Sequence, residues 1–215
     1  MYQTAIFDLD GTLLDTIGDL AEATNHALAA FGLPLRTLEQ TRASVGDGIR
    51  KLIERSVPEG SPVELVDQVT DEFKAFYADN CANLTKPYDG ILEMLANLRG
   101  AGVRCAISSN KGDFAVQTLA HQYFEGLVDL AVGERAGVPR KPSPESIHAI
   151  MDELGADPAT TVYVGDSDVD IKTAANSGLA CISVSWGFRG VDVLLESGAT
   201  TIVDDAASLE RAILA

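Results

Sequence analysis

Six short apolar runs, each bounded by turn residues, alternate with helix-length amphipathic segments, and this alternation restricts the fold of the chain more than any other feature. The runs are Thr4–Phe7, Val103–Ser108, Leu127–Val132, Thr161–Val164, Ala180–Ser185 and Thr201–Val203. Between most of them lie Gly90–Arg99, Asp113–His121, Pro144–Leu154, Val169–Asn176 and Val191–Glu196. Strands that read as continuous apolar runs and are separated by helices belong to a parallel sheet covered on both faces, so the expected class is α/β with a doubly wound core. Helix punctuation agrees: Ser143 before Pro144 and Asp157 before Pro158 read as N-cap and first-turn pairs, and Gly178 and Gly198 as C-caps.

One interval breaks the rhythm. Asp8 is separated from the next strand at Val103 by far more chain than a crossover of roughly 30 residues needs. Helical periodicity fills the gap in Asp19–Phe31 (Leu20, Ala23, Ala27, Leu28, Phe31), Ile49–Val57 and Val63–Cys81 (Val66, Val69, Phe73, Phe76, Tyr77). The expectation is an inserted bundle of about four helices over residues 16–84, with the sheet domain built from 1–15 and 85–215.

Charge narrows the partners. The 215 residues carry 16 Lys+Arg against 32 Asp+Glu, a formal charge of −16. Nucleic acids and anionic membranes are held by clustered cations, so both are excluded as expected partners. The first residues, MYQTAIFDLDGTLLD, show no basic segment followed by a long apolar one, and no stretch approaches the roughly 18 apolar residues of a membrane span. Cys81, Cys105 and Cys181 are odd in number and widely spaced, which reads as buried thiols in a reducing compartment and a cytoplasmic protein.

Ligands of open parallel sheets bind at the C-terminal ends of the strands. There the sequence places Asp8 and Asp10 after the first run, Ser108, Ser109 and Asn110 after the second, and Gly165-Asp166-Ser167-Asp168-Val169-Asp170 after the fourth, with Lys141-Pro142 in the loop before Ser143. Each piece alone is an ordinary strand-end turn or surface charge; their joint order is not. Carboxylates from two strand ends offer the hard oxygen ligands that Mg²⁺ takes, and a cation there lets Asp8 approach a phosphate dianion. Lys141 and Ser109 supply charge and a donor to phosphoryl oxygens, and Asp10, pointing elsewhere, suits acid and base work. The chemistry that fits is phosphoryl transfer through a carboxylate nucleophile.

These residues resemble the haloacid dehalogenase superfamily, and within it the phosphoglycolate phosphatase-like group. The four motifs of the superfamily match Asp8-Leu9-Asp10-Gly11-Thr12-Leu13-Leu14-Asp15, Ile107-Ser108-Ser109-Asn110-Lys111, Lys141-Pro142 and Gly165-Asp166-Ser167-Asp168-Val169-Asp170. The subgroup is suggested by Asp15-Thr16-x-x-Asp19-Leu20, by Val45-Gly46-Asp47-Gly48-Ile49-Arg50, by Ser185-Trp186-Gly187-Phe188-Arg189 and by Gly198-Ala199. The resemblance implies a Rossmann-like core with a small helical cap. It implies Asp8 as nucleophile and metal ligand, and Asp10 as acid and base that also binds Mg²⁺ through its backbone carbonyl. Ser109 and Lys141 would hold the phosphoryl group, Asp166 would complete the metal ligands, and Asp170 would orient the site from behind them. Thr12 and Asn110 join the expected substrate contacts, as do Gly46, Gly48 and Arg50 of the cap loop.

The expected partner is a small phosphorylated metabolite, 2-phosphoglycolate first, with nucleotide monophosphates, sugar phosphates or pyrophosphate as alternatives, acted on by a monomer or homodimer. Where the second motif often has Thr this chain has Ser109, which keeps the hydroxyl. A sugar-phosphate mutase of the superfamily usually carries His five positions after the residue matching Asp15, where this chain has Leu20. A receiver-type signalling module shares the residue types but has no inserted lid. His26, His121 and His148 read as surface or packing residues, and Trp186 and Phe188 fit either the site entrance or cover for the sheet edge.

Overall fold

All four residues of Thr4–Phe7 are buried, as expected for a strand with protein on both sides. A computed structural model describes residues 1–215. In chain order its elements are β1 (Thr4–Phe7), β2 (Leu14–Asp15), α1 (Ile17–Ala30), α2 (Leu38–Ser44), α3 (Ile49–Ser56), α4 (Val63–Asn80), β3 (Lys86–Pro87), α5 (Ile91–Gly100), β4 (Arg104–Gly112) and α6 (Asp113–Phe124). There follow β5 (Leu130–Glu134), α7 (Glu145–Leu154), β6 (Thr161–Gly165), α8 (Asp168–Ser177), β7 (Ala180–Val184), α9 (Val191–Glu196), β8 (Ile202–Val203) and α10 (Ala206–Leu214).

Six strands form one sheet in the order β5-β4-β1-β6-β7-β8, and every pairing in it is parallel. Successive side chains point to opposite faces. Ile6, Ala106 and Tyr163 face one way and pack with Ile147, Ile150, Met151 and Ala174 of α7 and α8. Ala5, Phe7, Cys105, Ile107, Val162 and Val164 face the other way, into a larger core with residues of α5, α6 and α10. The expected α/β, Rossmann-like architecture is therefore present, with β1 central and its C-terminal end beside those of β4 and β6.

The long interval holds α1–α4, entered and left through the antiparallel ribbon of β2 and β3. Helix α2 begins with a capping box, in which Thr37 accepts from the Gln40 backbone and Gln40 from that of Thr37. Buried Asp19 closes the base of the insertion: its carboxylate accepts from the backbone N–H of Leu84 (2.9 Å) and Thr85 (2.8 Å) and from the Thr85 hydroxyl (2.7 Å). Asp19→Ala would leave these donors buried and unpartnered. A loss of about 2–4 kcal/mol is expected in chemical denaturation.

Several boundaries differ from the sequence reading. The run at Leu127 starts as the turn after α6, with Leu127 and Val128 N–H groups bonded to Phe124, so β5 begins only at Leu130. Strand β4 continues past Ser108 to Gly112 and carries the second motif along with it. Ser143 is not a cap: its N–H closes a turn onto Arg140, its hydroxyl turns to Glu145, and Pro144 takes the N-cap position. Asp157 does cap a short 3-10 turn at Pro158–Thr160, and Gly178 ends α8 in the left-handed region. Gly198 also takes a positive φ, one residue beyond the Ser197 cap of α9.

Candidate active site

The chain leaves β1 at Asp8, whose N–H bonds Val164 of β6 (2.8 Å), and then coils tightly: the N–H groups of Thr12, Leu13 and Leu14 all turn to Leu9 O. Gly11, at φ +87°, makes the turn and admits a close neighbour, for a Cβ there would overlap the Asp166 carboxylate. This coil sets Asp8 and Asp10 on different sides. Asp8 Oδ1 lies 2.8 Å from Lys141 Nζ, whereas Asp10 meets Lys111 Nζ at 2.9 and 3.2 Å.

Lys141 is fixed from two directions. Its backbone N–H donates to Asn110 Oδ1 (2.9 Å) and its carbonyl accepts from Asn110 Nδ2 (3.1 Å), so the second motif positions the third. Its ammonium spends three contacts on Asp8, Asp170 Oδ1 (2.9 Å) and the Tyr163 hydroxyl (2.7 Å). Asp170 is fully engaged: Oδ1 takes Lys141 and the Tyr163 hydroxyl, and Oδ2 takes the Ser167 N–H (3.1 Å) and hydroxyl (2.6 Å) in the capping box of α8. Asp166 Oδ2 accepts from Phe188 N–H at 2.6 Å and Oδ1 from the Thr12 hydroxyl at 3.4 Å.

Asp8, Asp166 and Asp170 are all buried, and one oxygen of each lies within 4.8 Å of the others. Burial first, opposed by Lys141 and reinforced by Asp170, pushes the Asp8 carboxyl up to about 7. Burial, then the charges of Asp170 and Asp8, raises Asp166 well above the carboxylate range. Burial alone would lower Lys141 and Lys111, yet Asp170 and Asp8 hold the first above its ordinary value, and Asp10 does so for the second. Four carboxylates around two lysines leave the floor with excess negative charge, and hard oxygen donors in that state fit a divalent cation. The Asp10 side chain is not one of the three clustered groups; its expected metal contact was through the backbone.

These groups border one cavity of about 650 Å³, open space at its mouth included. Asp8, Asp10, Ser109, Asn110, Lys141, Asp166 and Asp170 line it from the sheet, and Gly46 and Gly48 from the insertion. The loop carrying the glycines is held down by carbonyl contacts. Arg189 donates to Val45 O (2.5 Å) and Arg42 O (3.2 Å), Arg140 to Asp47 O (2.8 Å) and Asn110 to Gly46 O (3.1 Å).

Two expected contacts are not brought to the cavity. Arg50 pairs with Glu54 on its own helix (3.1 Å) and with Asp67 of α4, because Ile49, Leu52 and Ile53 turn the apolar face of α3 inward and leave Arg50 on the outer face. Thr12 is fully buried beneath Asp166 and contacts that carboxylate instead. Of the two aromatic residues, Phe188 lines the cavity while Trp186 packs on the core and donates to Thr12 O (3.1 Å). His26 pairs with Glu72 and stacks on Phe76 at the surface, and His121 lies beside Glu125. Sequence reasoning assigned no part to Lys111, Tyr77 or Arg189, all of which line the cavity. Lys111 lies in the second motif and Arg189 ends the Ser185-Trp186-Gly187-Phe188-Arg189 segment, so both carried a signal in the sequence.

A parallel sheet whose central strand ends in two divergent carboxylates, beside a buried lysine and a third strand-end carboxylate, defines an α/β enzyme core with an acidic cavity at its strand ends. Residues 5–184 match the family described as haloacid dehalogenase-like hydrolase, and the chain belongs to it. The chain is similar to a phosphoglycolate phosphatase of Agrobacterium fabrum, with 32% identity over 97% of this chain and 91% of the relative. Similarity to one from Haemophilus influenzae is 31% over 94% of each. A crystal structure from Lactobacillus delbrueckii subsp. bulgaricus, provisionally described as a phosphoglycolate phosphatase, superposes with a TM-score of 0.93 at 40% identity, covering 99% of this chain and 98% of that one. The enzyme is a phosphatase-type hydrolase of this family. No helix in it is long and apolar enough to cross a membrane.

Proposed function

We propose that the protein hydrolyses a small phosphomonoester, 2-phosphoglycolate first among candidates, by way of a phosphoryl group carried on Asp8. The observation that carries this reading is the convergence of Asp8, Lys141 and Asp166 on one cavity whose lysines do not balance its carboxylates. The relatives named as phosphoglycolate phosphatases support the substrate.

Asp8 attacks phosphorus, and the ester oxygen leaves with the bonding pair. Asp10, steadied by Lys111, gives that oxygen a proton and then takes one from the water that attacks the phosphorylated Asp8. Ser109 and Lys141 donate to the phosphoryl oxygens, where charge accumulates. Asp8 and Asp166 would hold Mg²⁺ by side chain and Asp10 by its backbone carbonyl, with Asp170 fixing Lys141 behind them. Bound there, Mg²⁺ supplies the positive charge that lets a carboxylate approach a phosphate dianion.

Residues 16–84 act as a lid whose glycine loop, held by Arg189, Arg140 and Asn110, keeps water from the reacting group. Leu20, apolar and lining the cavity, supplies no imidazole where a mutase of this superfamily has its His. The proposed compartment is the cytoplasm, supported by three free cysteines of which Cys81 and Cys105 are buried.

The test is a panel of phosphomonoesters with Mg²⁺, followed by chelation. Turnover of small acidic phosphates is expected, with EDTA lowering it at least about 100-fold and Mg²⁺ restoring it. No turnover of any phosphomonoester would sink the reading, and turnover indifferent to EDTA would remove its metal.

A further inference from the structure

Tyr77 comes from α4 of the insertion, lines the cavity and is wholly buried, yet its hydroxyl has no hydrogen-bond partner. Burying a hydroxyl without a partner is costly, and a phenylalanine would fill the same space without that cost. The neighbouring ammonium of Lys111 sits 4.7 Å from the Tyr77 ring centroid. Lys111 approaches closely enough to oppose, by its charge and its N–H, the rise that burial imposes on the Tyr77 phenol, but the contact stops short of a full hydrogen bond. Of the three N–H groups on Lys111, two are directed to the oxygens of Asp10, so one remains to be given.

The rest of this end of the cavity offers little to a polar ligand. Leu20, Ile49, Leu52 and Phe188 are apolar, Lys141 is the lysine assigned to the phosphoryl oxygens, and Arg189 is bonded to cap-loop carbonyls. Two donors, one of them cationic, therefore stand together in an apolar wall, next to the Asp10 side chain.

We propose that the Tyr77 hydroxyl and the free N–H of Lys111 form a subsite for a carboxylate on the leaving group of the substrate. The inference rests on the reading of this cavity as a phosphomonoesterase site and adds the feature by which it selects its ester. Two donors match the two oxygens of a carboxylate, and a lysine already shared with Asp10 matches a monoanion better than a second phosphate dianion. A neutral alcohol chain would leave the lysine donor unused. Tyr77 is here a specificity-determining residue, and because it belongs to the insertion, the subsite is complete only with the insertion seated on the sheet domain.

The test compares 2-phosphoglycolate with ethyl phosphate, which lacks the carboxylate, in the wild-type enzyme and in Tyr77→Phe with Mg²⁺ present. The wild type is expected to prefer 2-phosphoglycolate. The ratio of the two kcat/KM values should fall about tenfold or more in the variant, chiefly through KM. A second measurement needs no variant: glycolate should compete with ethyl phosphate on the wild-type enzyme, and the neutral glycolamide should do so far more weakly. An unchanged ratio in Tyr77→Phe, or glycolate no better than glycolamide, would overturn the subsite while leaving the phosphatase reading standing. Turnover of neither ester by the wild type would overturn both.

Discussion

Asp8→Asn is expected to abolish turnover, with a fall of at least about 10⁴-fold in kcat, and to leave the fold intact. The substitution keeps the size of the side chain and removes the carboxylate proposed to attack phosphorus, which lies beside Lys141 at 2.8 Å. Stability should move the other way. The carboxyl of Asp8 in the folded chain titrates near 7, above its ordinary value, so without metal its ionisation works against folding at any pH above that ordinary value. Asparagine removes this penalty, and Lys141 keeps Asp170 and Tyr163 as partners. Thermal melts without metal above neutral pH should therefore show a midpoint no lower than that of the wild type. A variant that is both inactive and unfolded would remove Asp8 from the reacting role assigned to it and make it a structural residue.

Gly187→Ala is expected to lower kcat/KM about 100-fold although the residue contributes no side-chain chemistry. The added Cβ would overlap the Asp166 side chain, which is bonded to the next N–H, that of Phe188, at 2.6 Å. Gly11 also packs against this carboxylate, so Asp166 can give way only toward the cavity. Displacing it misplaces a proposed ligand of Mg²⁺, and errors of this kind typically cost about 10–100-fold in metal affinity or activity. The loss should be partly recovered by raising Mg²⁺, which a general packing defect would not allow. Titration of activity against Mg²⁺ for both proteins checks this.

The parts of this architecture legible in the sequence are those written in local pattern. Apolar runs such as Thr4–Phe7 and Thr161–Val164 mark strands because both their faces are buried, and polar residues directly after such runs must sit at the sheet edge. For that reason the sequence alone already brings Asp8, Ser109 and Asp166 to one edge of the sheet. Arg50 is adjacent to the glycine loop in sequence, whereas its direction in the fold is set by Glu54 and by Asp67, 17 residues away on another helix. The surroundings of Thr12 are equally non-local, since the coil after β1 buries it under a carboxylate 154 residues on. Lys111 and Arg189 stand in motifs, but the roles of both, like that of Tyr77, depend on distant segments: Lys111 meets Asp10 across 101 residues, and Arg189 meets Val45 across 144. The ribbon of β2 and β3 has two residues in each strand, too few to show any period.

The central claim is that phosphate passes through Asp8. Its most direct test is to mix the enzyme with 2-phosphoglycolate and Mg²⁺, quench in acid within a turnover, and map the phosphorylated peptide by mass spectrometry. Phosphate is expected on Asp8 in the wild type and none on Asp8→Asn; rapid turnover with no phosphate on Asp8, or with phosphate on another residue, would exclude the covalent route through Asp8.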